Sequence, residues 1–172
     1  INGPYPFDGA LDEIAIFDSA ISAADITAIY NSGSPTNLAS LSPVGWWRMG
    51  DNDGGTGTTI TDQGSGGNNG TLMNGPTFSS DAPKSLPFTN NYSVDFDGST
   101  GPHLATSITS INSLSNPLAP GGIAIPDEFT ISCWFKCTSG AGWDLIGSGA
   151  GSWSFGLVAD GSMAAFKQLG GM

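Results

Sequence analysis

A chain of 172 residues, 38% of them hydrophobic, has room for about one domain with a real core and excludes a second complete large fold. Charged residues make up only 11%, with 4 Lys plus Arg against 15 Asp plus Glu and a net charge of −11, so phosphate backbones and anionic lipid are repelled and nucleic acid is not an expected partner. No apolar run reaches about 18 residues, which excludes membrane insertion by a helix.

The 26 glycines follow no collagen-like period and signal frequent turns. Of the acids, 13 are Asp and 2 are Glu; Asp serves turns, caps and cation sites more than helix interiors. The chain opens at Ile1 without Met and without a basic start followed by an apolar stretch, so a longer or processed polypeptide is expected.

In chain order, strands are predicted at 11–18, 45–49, 92–96, 129–137, 143–146, 152–159 and 163–168. Tyr92, Val94 and Phe96 alternate with Ser93, Asp95 and Asp97, the pattern of a half-buried antiparallel strand. Many short strands separated by Gly, Asn, Asp, Ser and Pro predict an all-β antiparallel sandwich of jelly-roll type. One short helix is predicted at 23–31. Ser22 caps it, Asp25 completes a capping box, Ile21 and Ile26 form a hydrophobic staple, Ile26, Ile29 and Tyr30 make its apolar face, and Gly33 ends it. Residues 32–43 are Ser- and Pro-rich and linker-like.

Cys133 and Cys137 lie four apart in a strand pattern, about 13 Å at ~3.3 Å per residue, too far for a disulfide. They share a face with Phe129, Ile131 and Phe135 and are expected to be buried, unbridged thiols.

Taken together, several segments resemble one family. Phe7-Asp8-Gly9-Ala10-Leu11-Asp12-Glu13-Ile14-Ala15-Ile16-Phe17, then Ala20-Ile21-Ser22-Ala23-Ala24-Asp25-Ile26 and Ile29-Tyr30-Asn31, resembles the closing strand and short helix of laminin-G-like (concanavalin A-like) jelly-roll domains. Gly45-Trp46-Trp47-Arg48-Met49-Gly50-Asp51, Thr61-Asp62 and Gly67-Asn68-Asn69-Gly70-Thr71-Leu72 are similar to the opening of such a domain, and Val94-Asp95-Phe96-Asp97-Gly98 and 129–135 to its next strands. The order is end, linker, beginning. The resemblance therefore implies a junction of tandem repeats: residues 1–33 finish one domain, 34–42 link, and 43–172 begin another. The rival is a circular arrangement, in which the N-terminal strand completes the domain that follows it. Residues 99–128 would be an insertion.

Several sites follow. In this family an Asp-x-Ser-Gly-x-Gly-Asn-like loop pairs with the acid of the closing Leu-Asp-Glu, which implies a Ca²⁺ site from Asp62 and Asn68 with Asp12 or Glu13. Gly64-Ser65 is transposed relative to that pattern. Asp51-Asn52-Asp53-Gly54 is a second oxygen-rich segment. Trp134 and Trp143, near polar loops, are candidate platforms for stacking sugars, whereas Trp46, Trp47 and Trp153 are expected in the core.

Catalysis is not expected. Strict alternation sends Asp12 and Glu13 to opposite faces and puts Asp12 and Asp18 about 20 Å apart, which fits neither glycosidase geometry. Asp95 and Asp97 share a face but read as solvated, and His103, the one histidine, reads as a loop residue. The resemblance implies a non-enzymatic binding or structural module on a virion surface, such as a phage fibre, tail or capsid decoration, or in the extracellular space. Its partners would be a glycan or other surface ligand and further domains or copies of the same assembly. A secreted bacterial adhesin, or the carbohydrate-binding part of a polysaccharide hydrolase, is the alternative.

Overall fold

The structure is a computed structural model that describes residues 7–84, 87–99, 101–106 and 129–138, together with the backbone of 143–147, 153–157 and 163–168. Its strands are β1 (Asp8–Phe17), β2 (Gly45–Trp47), β3 (Thr59–Ile60), β4 (Gly70–Met73), β5 (Thr77–Ser79), β6 (Ser93–Asp97), β7 (His103–Ala105), β8 (Thr130–Cys137), β9 (Trp143–Gly147), β10 (Trp153–Leu157) and β11 (Met163–Gln168). One α-helix, α1 (Ala23–Tyr30), and a 3-10 turn at Ala39–Leu41 complete the described elements. The all-β expectation holds, and every strand pairing is antiparallel.

The longest described strand, β1, organises the main sheet. One edge pairs with β8 from Gly9 opposite Cys137 to Phe17 opposite Thr130. The other edge is shared by two strands: β6 covers Asp8 to Leu11 and β2 covers Ile14 to Ile16. β5 then extends the sheet beyond β6. A second sheet runs β3-β4-β7, and β9, β10 and β11 form a separate antiparallel meander.

Both faces of β1 are covered, because its alternating residues are apolar on both sides. Leu11, Ile14 and Ile16 join Val44, Trp47, Met49, Val94 and Phe96, with Ile60 and Leu72 supplied by the second sheet. On the other face Ala15 and Phe17 pack with Trp46, Leu38 and Ile29 of α1. The cover thus comes from this chain's own residues on both sides of 34–42. The strand expected to close a preceding domain sits at the centre of the sheet built by the residues after it, the pairing that the circular reading expects. The physical reason is burial: an apolar strand with two greasy faces takes the nearest complementary edges, here β2, β6 and β8.

The helix begins as the sequence predicts. The Ser22 hydroxyl accepts from Asp25 N, and the Asp25 carboxylate accepts from Ser22 N, a complete capping box. Asn31 takes the left-handed cap position at φ 41°. The predicted apolar face is corrected: only Ile29 is buried, while Ile26 and Tyr30 are 55% and 62% exposed. Ile21 still packs on the second cluster, but Ile26 does not cover it as a staple would. The helix is only eight residues long and docks through a single side chain.

Cys133 and Cys137 are unbridged and pack against the main core. Burial pushes the Cys133 thiol up to about 11. Phe135, expected on the same buried face, is 38% exposed. Within the expected insertion, 99–128, β7 (His103–Ala105) pairs with β4, and 107–128 lie outside the described residues.

Candidate functional site

The site begins at an irregularity in β1. Opposite β8 the register runs Asp12 to Trp134 and then Ala15 to Ser132, so Glu13 and Ile14 together face the single residue Cys133. This is a β-bulge, with Glu13 in the left-handed region at φ 46°. It corrects the alternation argument: the carboxylates of Asp12 and Glu13 do not diverge to opposite faces, and one oxygen of each lies within 4.8 Å of the other. Leu11 and Ile14 can then both reach the main core although three positions separate them.

The opposite edge of β1 explains why the bulge sits there. The β6 pairing ends at Leu11 opposite Val94, and the β2 pairing starts at Ile14 opposite Trp47. Continued by one residue, these registers put Ser93 beside Asp12 and Arg48 beside Glu13. Asp12 and Glu13 therefore occupy the place where β1 changes partner, with the chain leaving β2 through Arg48 to Asp51 and entering β6 through Asn90 to Tyr92. Side chains from these two segments fill the break in the ladder.

Glu13 is 2% exposed and has two strong donors. Trp46 Nε1 donates to its Oε2 at 2.6 Å, and Arg48 Nε donates to its Oε1 at 2.9 Å. The Arg48 guanidinium also donates to Thr89 O and Asn52 Oδ1 and lies 4.1 Å from the centre of the Phe88 ring, which itself stacks on Trp46. Charge, hydrogen bonds and cation–π attraction all hold one planar group in place. Burial raises the Glu13 carboxyl above its ordinary value, opposed by Arg48 and Trp46.

Asp12, also 2% exposed, accepts from Glu13 N at 2.8 Å and from Asn90 Nδ2 at 2.7 Å. Burial pushes its carboxyl up to about 8, with the Asn90 hydrogen bond pulling the other way. Asp51 accepts from Asn91 N at 2.8 Å and faces Tyr92 N at 3.4 Å, so it holds the entry to β6. One oxygen from each of Asp12, Glu13 and Asp51 lies within 4.8 Å of the other two.

The loop expected to share this site has a different task. Asp62 Oδ1 accepts from Trp46 N at 2.7 Å and Gly64 N at 2.8 Å, and its Oδ2 accepts from Asn68 N at 2.7 Å. Three of a carboxylate's roughly four acceptor sites are thus filled by backbone donors that fold loop 62–68 onto the edge of β2. Asn68 anchors the same loop through its carbonyl, which accepts from Trp47 Nε1 and Thr106 Oγ1. Close approach is part of this docking: a Cβ on Gly64 would fall 2.7 Å from Gly45 Cα. The four residues expected to bind one cation are therefore divided. Asp12 and Glu13 lie in the acidic cluster, and Asp62 and Asn68 clamp the loop.

Asp51 belonged to a segment that its oxygen content singled out, whereas Asn90 and Arg48 carried no sequence signal for the site. Asp53 is spent on Thr61, through its backbone N and its hydroxyl. Asp95 and Asp97 are exposed, and His103 Nδ1 lies 2.6 Å from Gly101 O. Trp134 is half-buried on β8 opposite Asp12; the side chains of Trp143 and Trp153 lie outside the described residues. No family model, curated protein or solved structure matches this chain. Among the described residues, no helix is long and apolar enough to cross a membrane.

Proposed function

We propose that the chain is a non-enzymatic binding or structural module of the laminin-G-like, jelly-roll kind, displayed on a virion or in the extracellular space and directed at a surface glycan. The observation that carries the reading is the position of the Leu-Asp-Glu-Ile-Ala-Ile-Phe strand. It lies in the middle of an antiparallel sheet that shares its apolar core with a second antiparallel sheet, as the resemblance implies for a closing strand. The burial of the acids supports a role without catalysis: a catalytic carboxylate must come within about 3 Å of its substrate, and Asp12 and Glu13 are each 2% exposed and already bonded to protein groups.

Trp134 is the described ring offered to a sugar, half-buried beside the exposed Phe135. A glycan array probed with the labelled chain and with Trp134→Ala tests the reading. Binding to one glycan class that Trp134→Ala abolishes is the expected result. Hydrolysis of any arrayed glycan, or binding indifferent to Trp134, would overturn it.

A further inference from the structure

In an Asn-Gly pair an asparagine side chain meets the least hindered backbone nitrogen, because the residue that follows has no Cβ. The described residues hold two such pairs, Asn69-Gly70 and Asn74-Gly75, and the fold treats them oppositely. Gly70 opens β4, where it pairs with Ile60, and is packed so closely that a Cβ there would fall 2.5 Å from Leu104 Cδ1. The side-chain oxygen of Asn69 accepts from Asp62 N at 3.0 Å. Backbone and side chain of this pair are both held, so its amide reaches the glycine nitrogen only when the β3–β4 ladder opens.

Asn74 and Gly75 lie outside the ladders, at the corner where the chain leaves β4 of the second sheet and, after Pro76, enters β5 of the main sheet. Both are exposed. Gly75 stands at φ 95° with nothing within 4 Å of the place a Cβ would take, and among the described residues its N–H has no acceptor. Asn74 holds φ 61°, a left-handed conformation that Asn tolerates and most residues avoid, so leaving it costs the backbone little. One exposed hydrogen bond restrains its side chain, from Nδ2 to Gly101 O at 2.9 Å. Gly101 leads into β7, the partner of β4, and the Asn74 amide thereby pins that lead-in to the corner.

We propose that Asn74 is a site of spontaneous, backbone-assisted deamidation, with water as co-reactant, and that the reaction unpins the lead-in of β7 from the β4–β5 corner. Gly75 N gives its proton to solvent and bonds to Asn74 Cγ; the Cγ–Nδ2 bond breaks, and the nitrogen takes a proton from solvent and leaves as ammonia. Water then opens the cyclic imide at either of its carbonyls, leaving aspartate or, with the backbone carried through the side chain, isoaspartate. No group is oxidised or reduced. Either product replaces the Nδ2 donor by a carboxylate oxygen, which repels Gly101 O where the amide attracted it. Isoaspartate also lengthens the backbone at the corner between the two sheets. The site is separate from Trp134 and does not depend on the glycan reading.

Tryptic mapping of the folded 172-residue chain after ageing in mildly alkaline buffer tests the site; the peptide 49–84 carries both asparagines, and its fragment masses tell them apart. Asn74 should convert at least about tenfold faster than Asn69, whose reaction waits on local opening, and an isoaspartyl methyltransferase should label the product. In urea the two rates should converge, because the difference lies in the fold and not in the dipeptide. Asn74→Gln keeps an amide but closes a larger, slower ring, and should give no label at that position. Asn74→Asp supplies the product's charge directly and should raise hydrogen exchange of the β7 amides, 103–105, by about threefold or more, the loss of one net hydrogen bond, while the β1 amides keep theirs. Equal rates at Asn69 and Asn74 in the folded chain, or an Asn74 that reacts in urea and not in the folded chain, overturn the site. An Asn74→Asp chain with unchanged β7 exchange overturns the unpinning.

Discussion

Replacing Arg48 by Ala removes the buried ion pair found among the described residues. The Glu13 to Arg48 pair spans 2.9 Å, with side chains 2% and 12% exposed, so it falls in the buried class. Removing one partner of such a pair costs about 3–5 kcal/mol, because the other charge is left without compensation. Loss of the stacking on Phe88 at 4.1 Å adds about 1 kcal/mol, and these terms overlap because they act through one guanidinium. A net loss of about 4 kcal/mol is expected, against a total of about 5–15 kcal/mol for a domain. Urea unfolding followed by tryptophan fluorescence measures it. The pH dependence gives the sign of the mechanism. Burial already holds the Glu13 carboxyl above its ordinary value while Arg48 pulls it down; without Arg48 it rises further. A raised acid in the folded state keeps a proton that the unfolded chain releases, so stability is retained at low pH and lost as pH climbs through the folded value. The Arg48→Ala deficit should therefore be largest near pH 8 and shrink toward pH 4, and adding Glu13→Gln should recover part of it. A deficit under about 1 kcal/mol at pH 8 for a pair of this class, or one that grows on acidification, would refute the reasoning.

The parent should itself lose stability as pH rises from about 4 to about 8, since burial raises Asp12 from 3.8 to about 8; urea midpoints across that range read the slope, and Asp12→Asn should remove most of it. Gly64→Ala should destabilise by about 1–3 kcal/mol, because the new Cβ meets Gly45 backbone at 2.7 Å; thermal melts compare it with the parent. Thiol titration should count both cysteines in denaturant, with Cys133 slow to react in the native state because its thiol is buried and pushed up to about 11; an intramolecular disulfide by mass would contradict this.

Much of the fold was legible because it rests on local patterns. Ile14 and Ile16 against Ala15 and Phe17 required cover on both faces of one strand, and the two clusters supply it. Ser22 and Asp25 announced the helix start by a reciprocal hydrogen bond that needs only neighbouring residues. β3, β4, β5 and β7 were missed. They are two to four residues long, too short for an alternation to stand out from the Gly, Asn and Thr around them. Partner choice was harder still. Nothing in the spacing of β1 tells that β6 takes its first half and β2 its second, because that depends on which edges meet after the chain has collapsed.

That Asp12, Glu13 and Asp51 converge was illegible for the same reason, although each had been singled out for its oxygens, and the position of the cluster follows from that geometry. Alternation assumes one ladder along the whole strand, and under that assumption consecutive acids must diverge. An edge served by two strands has a join, and at the join both partners turn away and leave backbone and side chains without ladder contacts. The extra residue in β1 falls opposite Cys133, level with the join, so β8 stays continuous while the other edge is handed over. Two consecutive polar residues are what such a position tolerates: Leu11 and Ile14 remain in the core on either side, and the acids face the gap where Arg48, Asp51 and Asn90 arrive from the two strand ends. Leu-Asp-Glu-Ile is thus readable as a strand only when the pair of acids is counted as a bulge. Counted that way, the sequence holds Leu11, Ile14 and Ile16 on one face and assigns Asp12 and Glu13 jointly to the seam, where Arg48 meets Glu13 and Asn90 meets Asp12.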